Sequence, residues 1–550
     1  MNSRWAARLQ GYAYCVRDDE KTFEIVYNER MNIPLGIIDI VVLVAAVLSS
    51  IVIGLRFRGK NDSIESYLLG DRNLPWWAIL GSIVATETST ATVLSVPGHG
   101  FGDTGFKFLQ LAFGFILGRL LVVVFLLPGY FEGKLMSAYE ILGVRFGIQT
   151  KRVASVLFLV TRNLGDGLRL FLAAMVLKEL VGWPMLWSAV AIGVITMLYT
   201  YFGGMRSVVW NDCVQFIIYM AGSIAAVFVI VSYLPNGWSS FFRFAVDNNK
   251  FTLIDWRFSL TEPFTLWAGL IGGATLSLGS HGTDQMMVQR YLSARSQRDA
   301  ARALLWSGIV VFAQFALFLL IGVLLACFYS SQAQLPEGIR RDAIFSHFMI
   351  HSFPRNTGLI GLMLAAILAA VMSTLSSSLA ASASSVVSDL WLPSCRVPPS
   401  PNRQLWTTRL LTVFFGALQI AIGVWASTFN KSVIDNALTI AGFSSGILLG
   451  LFALGVFTKR TNQSAALAGG FIGLLAMLFI QFVLPIGTDD LSQNSPFDQI
   501  MKTIQAALPI VPWGFKLAFP WLAVIGSVTT YLSGLILSAF LAPSLEATPK

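Results

Sequence analysis

Hydroxyl side chains crowd one apolar stretch of the chain, between Leu368 and Trp391. Ser373, Ser376 and Ser377 are spaced by three and four residues, so a helix would place them on one face. Such a face offers hard oxygen ligands to a small cation, and the alanines around it let a second helix approach closely. On spacing alone, close packing between helices is favoured over an ion site, and both interpretations stay open.

Ionisable side chains inside apolar stretches are the next candidates, because charge in a membrane is costly and usually functional. They are Glu87, Arg119, Arg162, Asp166, Arg169 and Asp212. Asp166 and Arg169 could neutralise each other, or an arginine could receive a substrate carboxylate through its planar fork. Glu87 could pair with an arginine, bind a cation or carry a proton. His99 and His281 would serve proton coupling, but helix-end polar roles are favoured for both.

The composition places these residues in a polytopic membrane protein. The 550 residues are 55% hydrophobic and 12% charged, whereas soluble proteins carry about 25% charged residues. The sequence contains no GxxxxGK[ST] motif, metal-ligand cluster or nucleophile–base arrangement, which disfavours an ATP-driven pump and an enzyme. The four cysteines are scattered and form no CxxC pair. We therefore expect a lipid bilayer as partner, with no nucleic acid and no cofactor.

Thirteen apolar stretches are long enough to cross a bilayer as helices. They are approximately 33–55, 76–101, 107–130, 153–177, 183–202, 207–234, 265–289, 304–328, 357–390, 406–427, 434–457, 463–485 and 512–541. Lysine and arginine are enriched in alternate short loops, which predicts an outside N-terminus and an inside C-terminus in the cytoplasmic membrane. Residues 1–32 are expected to form a polar tail without a signal-peptide core, and Met31 is an alternative start.

Two of these spans are interrupted by small and polar residues. The first interruption is 85–92, within the stretch 78–102, and the second is the glycine-rich stretch 270–285. A pair of interrupted spans in corresponding halves of a chain indicates a transporter built from inverted repeats. Unwound backbone at such places frees carbonyl oxygens that can coordinate sodium, and it is tolerated only where it lines a cavity.

Four stretches, in order, resemble conserved segments of the sodium/solute symporters, which include the sodium–glucose, iodide, proline, pantothenate and sialic acid carriers. They are SYLLGDRNLPWW (Ser66–Trp77), YFGGMRSVVWNDCVQF (Tyr201–Phe216), TDQMMVQRYLSAR (Thr283–Arg295) and AAVMSTLSSSLAASASSVVSDLW (Ala369–Trp391). The resemblance implies an all-α LeuT-type fold that imports a solute by sodium-driven alternating access. It divides the chain into an extra first helix (33–57), two inverted five-helix repeats (76–234 and 265–457) and two C-terminal helices (463–542).

The resemblance also implies where sodium binds. The main site would use backbone carbonyls of Ala85, Thr88 and Ala370 with hydroxyls of Ser373 and Thr374. The family's usual residue at the last of these positions is serine, and Thr374 retains the hydroxyl oxygen.

Some family members hold a further sodium with additional serines and an aspartate from the segment that corresponds to Tyr201–Phe216, here called the Gly-Gly segment for its two successive glycines. A possible second sodium would therefore use Asp212, Ser376 and Ser377. Sodium is expected to act as the coupling ion in both places.

The substrate site carries over less directly. The positions expected to line it are Glu87, Thr92, Arg169, Ser277 and Ser280. Sugar carriers use large amide and aromatic side chains at some of these places, so a sugar is disfavoured and a small organic carboxylate is favoured. The alternatives are an amino acid, with Glu87 facing its ammonium group, and proton-coupled rather than sodium-coupled symport.

Overall fold

The computed structural model describes residues 35–59, 63–133, 135–336, 339–429, 431–486, 502–503, 505 and 513–541. The predicted N-terminal tail, including Met31, lies outside these residues. Within the described ranges the regular structure is helical. A single backbone bridge there joins Leu74 to Ala294, and the Leu74 amide donates to the carbonyl of the preceding residue, Ser293, at 3.1 Å.

The described residues form a series of α-helices. In chain order they are α1 (Ile37–Arg56), α2 (Ile64–Leu69), α3 (Trp76–Glu87), α4 (Thr90–Phe101), α5 (Leu109–Leu121), α6 (Leu127–Phe131), α7 (Glu140–Phe146), α8 (Ile148–Val181), α9 (Met185–Tyr233), α10 (Trp238–Asp247), α11 (Gly273–Gly282), α12 (Gln285–Leu292), α13 (Gln297–Ser331), α14 (Ile344–Ser352), α15 (Leu359–Ser385), α16 (Pro401–Ala426), α17 (Lys431–Phe457), α18 (Gln463–Leu478) and α19 (Phe519–Phe540).

Eight helical segments of the described chain are long and apolar enough to cross a membrane. They are Ile37–Arg56, Gly105–Phe131, Met185–Tyr233, Gln297–Ser331, Leu359–Ser394, Pro401–Ala426, Gln463–Val483 and Phe519–Phe540. The pair α3 and α4 adds one broken span, bent by 67°. The total of thirteen spans and the division into repeats at the stated boundaries stay predictions.

The first predicted interruption is the break between α3 and α4. Thr88 and Ser89 have extended backbone angles, with ψ of 100° and 167°, so neither continues the helix. At the second interruption α11 ends at Gly282 and α12 begins at Gln285. The side chain of Asp284 caps α12 by accepting the Met286 amide at 2.8 Å, as short polar residues do at helix starts.

The Gly-Gly pair at 203–204 kinks α9, which therefore consists of two helical stretches that cover two predicted spans. Gly204 has φ 62° and ψ −163°, a conformation that is open essentially to glycine alone. At Gly203 a side chain would collide with Ser207, whose hydroxyl donates to the Gly54 carbonyl of α1 at 2.5 Å. The kink therefore brings α1 against α9.

Helix α15 is the most deeply buried of the long apolar helices in the described chain. Nearly all its side chains are buried, and it packs against α1, α3, α8, α9 and α16. Hydroxyls in such a place need partners, and those of Ser376 and Ser377 bond back to the preceding turn of α15 itself. Several hydroxyls of α15 also reach neighbouring helices, and those of Ser373 and Thr374 meet the end of α3 at the break.

Candidate functional site

Ser373 and Thr374 of α15 meet the carbonyl oxygens at the end of α3. The Ser373 hydroxyl donates to the carbonyls of Ala85, at 2.8 Å, and Ala370, at 3.1 Å. The Thr374 hydroxyl lies 3.2 Å from the carbonyl oxygens of both Thr86 and Ala370. These residues are all buried. The fold thus collects neutral hydroxyl and carbonyl oxygens from two elements, a donor set that suits a small hard cation.

Thr88, the remaining predicted sodium ligand, is held in the break by side chains from two other helices. Its amide and hydroxyl both bond the Val84 carbonyl, at 3.1 and 2.9 Å. Its hydroxyl also accepts from Gln314 of α13 at 2.6 Å and from Tyr219 of α9 at 3.4 Å. Sequence reasoning missed both supports. A signal for Gln314 existed, since an amide stands alone there among apolar residues of the span.

The carboxylate of Asp212 forms the centre of a buried polar network beside these oxygens. One of its oxygens, Oδ2, accepts from Ser82 at 2.5 Å, from Thr86 at 3.3 Å and from Arg290 at 3.1 Å. Its other oxygen has no hydrogen-bond partner among the described residues. Arg290, on α12, is also buried and donates to Ser82 at 2.8 Å. Arg290 lies one residue beyond the predicted span 265–289, so it was not among the ionisable residues predicted inside apolar stretches, although one of the quoted family stretches contains it.

The two serines predicted to join Asp212 are placed differently. The Ser377 hydroxyl bonds both Thr86, at 3.1 Å, and the Arg290 guanidinium, so it belongs to the Asp212 network. The Ser376 hydroxyl instead donates to the Ser373 carbonyl of its own helix at 3.2 Å. The fold therefore brings Asp212 and Ser377 together, with a guanidinium between them.

Glu87, the last residue of α3, is paired with a buried arginine. Arg119 of α5 donates to the Glu87 carboxylate and, at 3.1 Å, to the Ser307 hydroxyl of α13. The His281 Nε2 atom, at the end of α11, lies 3.6 Å from the same carboxylate. Among the roles left open for Glu87, the structure shows the arginine pair. Arg119 is fully buried, so its guanidinium is not presented to a substrate.

The charges of α8 also neutralise one another. Asp166 accepts from Arg169 at 2.5 Å and from Arg162 at 2.7 Å. Arg162 extends to Asp284 at the second interruption, at 3.4 Å. The Arg169 side chain remains 32% exposed, whereas that of Arg162 is 14% exposed. Arg169 is thus the more accessible of the two arginines.

The remaining predicted substrate residues divide between two environments. Thr92 is partly exposed and its hydroxyl lies 3.4 Å from that of Ser89. Ser280 is partly exposed and bonds the His281 ring at 3.1 Å. Ser277 is buried, and its hydroxyl donates to the Phe115 carbonyl of α5 at 3.0 Å. Thr92 and Ser280 thus keep part of their surface exposed, while Ser277 joins α11 to α5.

The broken span, enclosed by a buried helix that brings hydroxyl oxygens to its carbonyls, is typical of secondary transporters of the membrane. The model of the sodium:solute symporter family matches residues 67–473, and the chain belongs to this family. It is accordingly a sodium-coupled solute transporter and not an enzyme.

Several curated relatives are similar over most of the chain. A putative sodium-dependent multivitamin transporter of Drosophila melanogaster is 28% identical, with 92% of this chain and 86% of the relative aligned. The sodium/sialic acid symporter of Proteus mirabilis is 25% identical, with 93% and 97% aligned. The human sodium-coupled monocarboxylate transporter 1 is 26% identical, with 91% and 86% aligned.

Solved structures show the same fold. A sodium-coupled sialic acid symporter, in a substrate-bound outward-open state described as revealing a novel sodium site, superposes with a TM-score of 0.79. It is 26% identical, and 92% of this chain and 99% of that chain are covered. A nucleobase-cation-symport-1 family transporter, 12% identical with a TM-score of 0.50, shares the fold alone. The predicted all-α LeuT-type fold class is confirmed.

Proposed function

We propose that this protein imports a small organic carboxylate together with sodium across the cytoplasmic membrane, with its N-terminus outside. The convergence of the Ser373 and Thr374 hydroxyls on the carbonyls at the α3–α4 break carries the proposal. The main sodium ligands are these two hydroxyls and the carbonyls of Ala85, Thr88 and Ala370.

The position of the break supports a cation there for a second physical reason. Helix α3 ends at Glu87, and the last carbonyls of a helix carry the negative end of its dipole. A sodium ion shared by these carbonyls and by α15 ties the broken span to the most buried helix. The ion then stabilises whichever conformation brings the two elements together, which is the requirement for coupling.

A carboxylate is the favoured substrate because of the charges that remain accessible. Arg169 presents a partly exposed guanidinium, and Thr92 and Ser280 present hydroxyls. Glu87 is neutralised by Arg119, so it repels an anion little and has no free charge for the ammonium group of an amino acid. The names of the relatives include a sialic acid symporter and monocarboxylate transporters, whose substrates are carboxylates. Ser277 would act indirectly, by holding α11 against α5.

Uptake into proteoliposomes tests the function. Purified protein is reconstituted and offered radiolabelled pyruvate, biotin or N-acetylneuraminate under an inward sodium gradient, a choline gradient of equal strength, or a pH gradient. We expect at least one carboxylate to accumulate only with sodium. Uptake that follows the pH gradient and ignores sodium would support proton coupling instead.

Hydroxyl removal tests the sodium site. Ser373→Ala and the near-isosteric Thr374→Val each remove one oxygen, and we expect the sodium concentration for half-maximal uptake to rise about tenfold or more, since a lost charge-assisted contact costs about 1.5–3 kcal/mol. Thr374→Ser should behave as the natural chain. Ser382→Ala is the matched control on the same helix, because its hydroxyl meets Asn163 at 3.1 Å instead. Unchanged sodium dependence in both test variants would remove the site.

A further inference from the structure

A cavity of about 380 Å³ lies beside the second half of the broken span. It is lined by Ser95, Gly98, His99, Arg340, Arg341 and Asp342. The first three residues belong to α4, and the others form the segment that leads into α14. None of them belongs to the sodium or substrate positions described above.

One face of α4 connects this cavity with the break. Thr92, Ser95 and His99 are spaced by three and four residues, so they share one face of the helix. All three are partly exposed, whereas Val93 and Val96 beside them are buried. A polar, accessible stripe therefore runs from the cavity to Thr92, which lies at the first turn of α4. The cavity and Thr92 therefore lie on the same face of α4.

The backbone of Arg341 rests directly against α4. A Cβ atom on Gly98 would lie 2.5 Å from the Arg341 carbonyl, so glycine is needed there for this close approach. The Arg341 guanidinium, at the flexible end of the side chain, extends toward Gly102. Its nearest carboxylate, Asp103, is 4.0 Å away, and both side chains are mostly exposed. Such surface pairs contribute at most about 1 kcal/mol, which leaves the guanidinium available to a ligand.

Further positive charge surrounds the same end of α4. The Lys250 amine donates to the carbonyls of Phe101, at 3.0 Å, and Gly102, at 2.7 Å. Burial lowers the pKa of Lys250, against the opposing effect of Asp103, and the positive charge of Arg341 lowers it further. Arg340 adds a third cationic side chain, which is paired with Asp342. Three basic side chains thus stand beside two acidic ones, and an excess of one sign of charge raises the local concentration of oppositely charged solutes.

We propose that this cavity is an access subsite, where the Arg341 guanidinium captures the carboxylate of the substrate before the substrate moves along α4 to the break. The inference rests on the proposed function, because it takes the transported solute to be a small organic anion. It adds a place where the anion binds first, outside the proposed sodium and substrate positions at the α3–α4 break.

The probe is whichever of pyruvate, biotin and N-acetylneuraminate shows sodium-driven uptake. The test compares the uptake kinetics of this probe between the wild-type protein and its variants. For Arg341→Gln we expect a KM about three- to tenfold higher with an unchanged maximal rate. The effect should shrink when choline chloride raises the ionic strength at constant sodium, because salt screens exposed charges. Arg341→Lys should retain most of the natural KM. Arg243→Gln is the control, since Arg243 is an exposed arginine of α10 that does not line the cavity.

A second variant has the opposite expected sign. Asp342→Asn removes negative charge from the cavity and should lower KM, a result that loss of folding could not produce. Equal KM values for the natural chain, Arg341→Gln and Asp342→Asn, with intact sodium-driven uptake, would overturn the subsite and leave the proposed function standing. If the natural chain took up none of the three carboxylates, the proposed substrate class would fail and the subsite with it.

Discussion

Two buried arginines bring positive charge into the centre of the molecule, where hydroxyls alone would supply only neutral polar groups. Arg119 and Arg290 are both fully enclosed, and each has one carboxylate partner, Glu87 and Asp212 respectively. A buried charge is tolerated only when it is paired and hydrogen-bonded. Each pair joins the first broken span to elements of the other half of the chain, through Ser307 or through Ser82 and Ser377. The pairs therefore hold the broken span through its side chains, while its Ala85 and Thr86 carbonyls face the hydroxyls of α15.

Asp212→Asn separates two roles of this carboxylate. If the free oxygen of Asp212 helps to hold a second sodium, we expect the Hill coefficient for sodium in uptake assays to fall from about two to about one. The variant should also unfold at a lower temperature, since breaking a buried pair costs about 3–5 kcal/mol.

Asp389→Asn is the matched control for that measurement. Asp389 is a buried carboxylate 3.3 Å from Lys151 and lies outside the proposed sodium positions. The substitution should therefore lower stability and leave the Hill coefficient unchanged. Equal Hill coefficients in the natural chain and Asp212→Asn would mean that Asp212 serves Arg290 alone.

Glu87→Gln leaves the Arg119 guanidinium buried without its carboxylate. We expect a loss of about 3 kcal/mol, measured as a lower midpoint of thermal unfolding in detergent. Glu87→Gln combined with Arg119→Met should recover part of the loss, because removing both partners leaves no unpaired charge.

The control for Glu87 is Glu65→Gln, which breaks an exposed pair with Arg72 at 2.7 Å. Exposed pairs contribute about 0–1 kcal/mol, so this variant should unfold close to the natural midpoint. A Glu87→Gln protein as stable as Glu65→Gln would contradict the structural role of the Glu87–Arg119 pair.

Among the secondary-structure elements, the helix breaks position the carbonyls and charged side chains of the candidate site. The α3–α4 break exposes carbonyls, the α11–α12 break carries Asp284 to Arg162, and the Gly204 kink turns α9 so that Ser207 reaches α1. Each break is stabilised by side chains from other helices, such as Gln314 on Thr88. This arrangement satisfies the rule that irregular backbone at membrane depth must be enclosed in protein.

Gly204→Ala should destabilise the fold, because alanine must adopt the positive φ of this kink. The expected cost is about 1–3 kcal/mol, observed as lower yield and a lower unfolding temperature. Gly442→Ala in α17 is the control, since no described atom lies within 4 Å of an added Cβ there. It should be neutral or stabilising by up to about 1 kcal/mol. Equal effects of the two substitutions would show that the kink is not conformationally demanding.

For the whole molecule, sodium binding at the junction of α3 and α15 should stabilise the native state. A ligand at 100 times its Kd adds about 2.7 kcal/mol, so the purified protein should unfold at a higher temperature in sodium chloride than in potassium chloride. Ser373→Ala should reduce this difference, whereas Ser382→Ala should keep it. The same midpoint in both salts for the natural chain would count against sodium binding.

Sequence patterns were sufficient for much of the architecture. The apolar composition indicated a membrane protein, and the small polar stretch at 85–92 predicted the first break, which lies at Thr88 and Ser89. The predicted spans 183–202 and 207–234 correspond to two stretches of α9 that meet at the kink, where Gly204 has non-helical backbone angles. Patterns of this kind depend on residues that are close in the sequence, so they can be recognised without knowing which helices pack against one another.

Ion pairing was the part that the sequence left open. Glu87 had three candidate roles, and Arg290 was not among the predicted buried charges, since nothing in the chain order connects Arg119 with Glu87 or Arg290 with Asp212. The sequence by itself determined which residues are polar inside an apolar chain and where the helices must break. Only the tertiary structure decided which of these residues meet, because contacts between helices far apart in sequence depend on how the whole bundle packs.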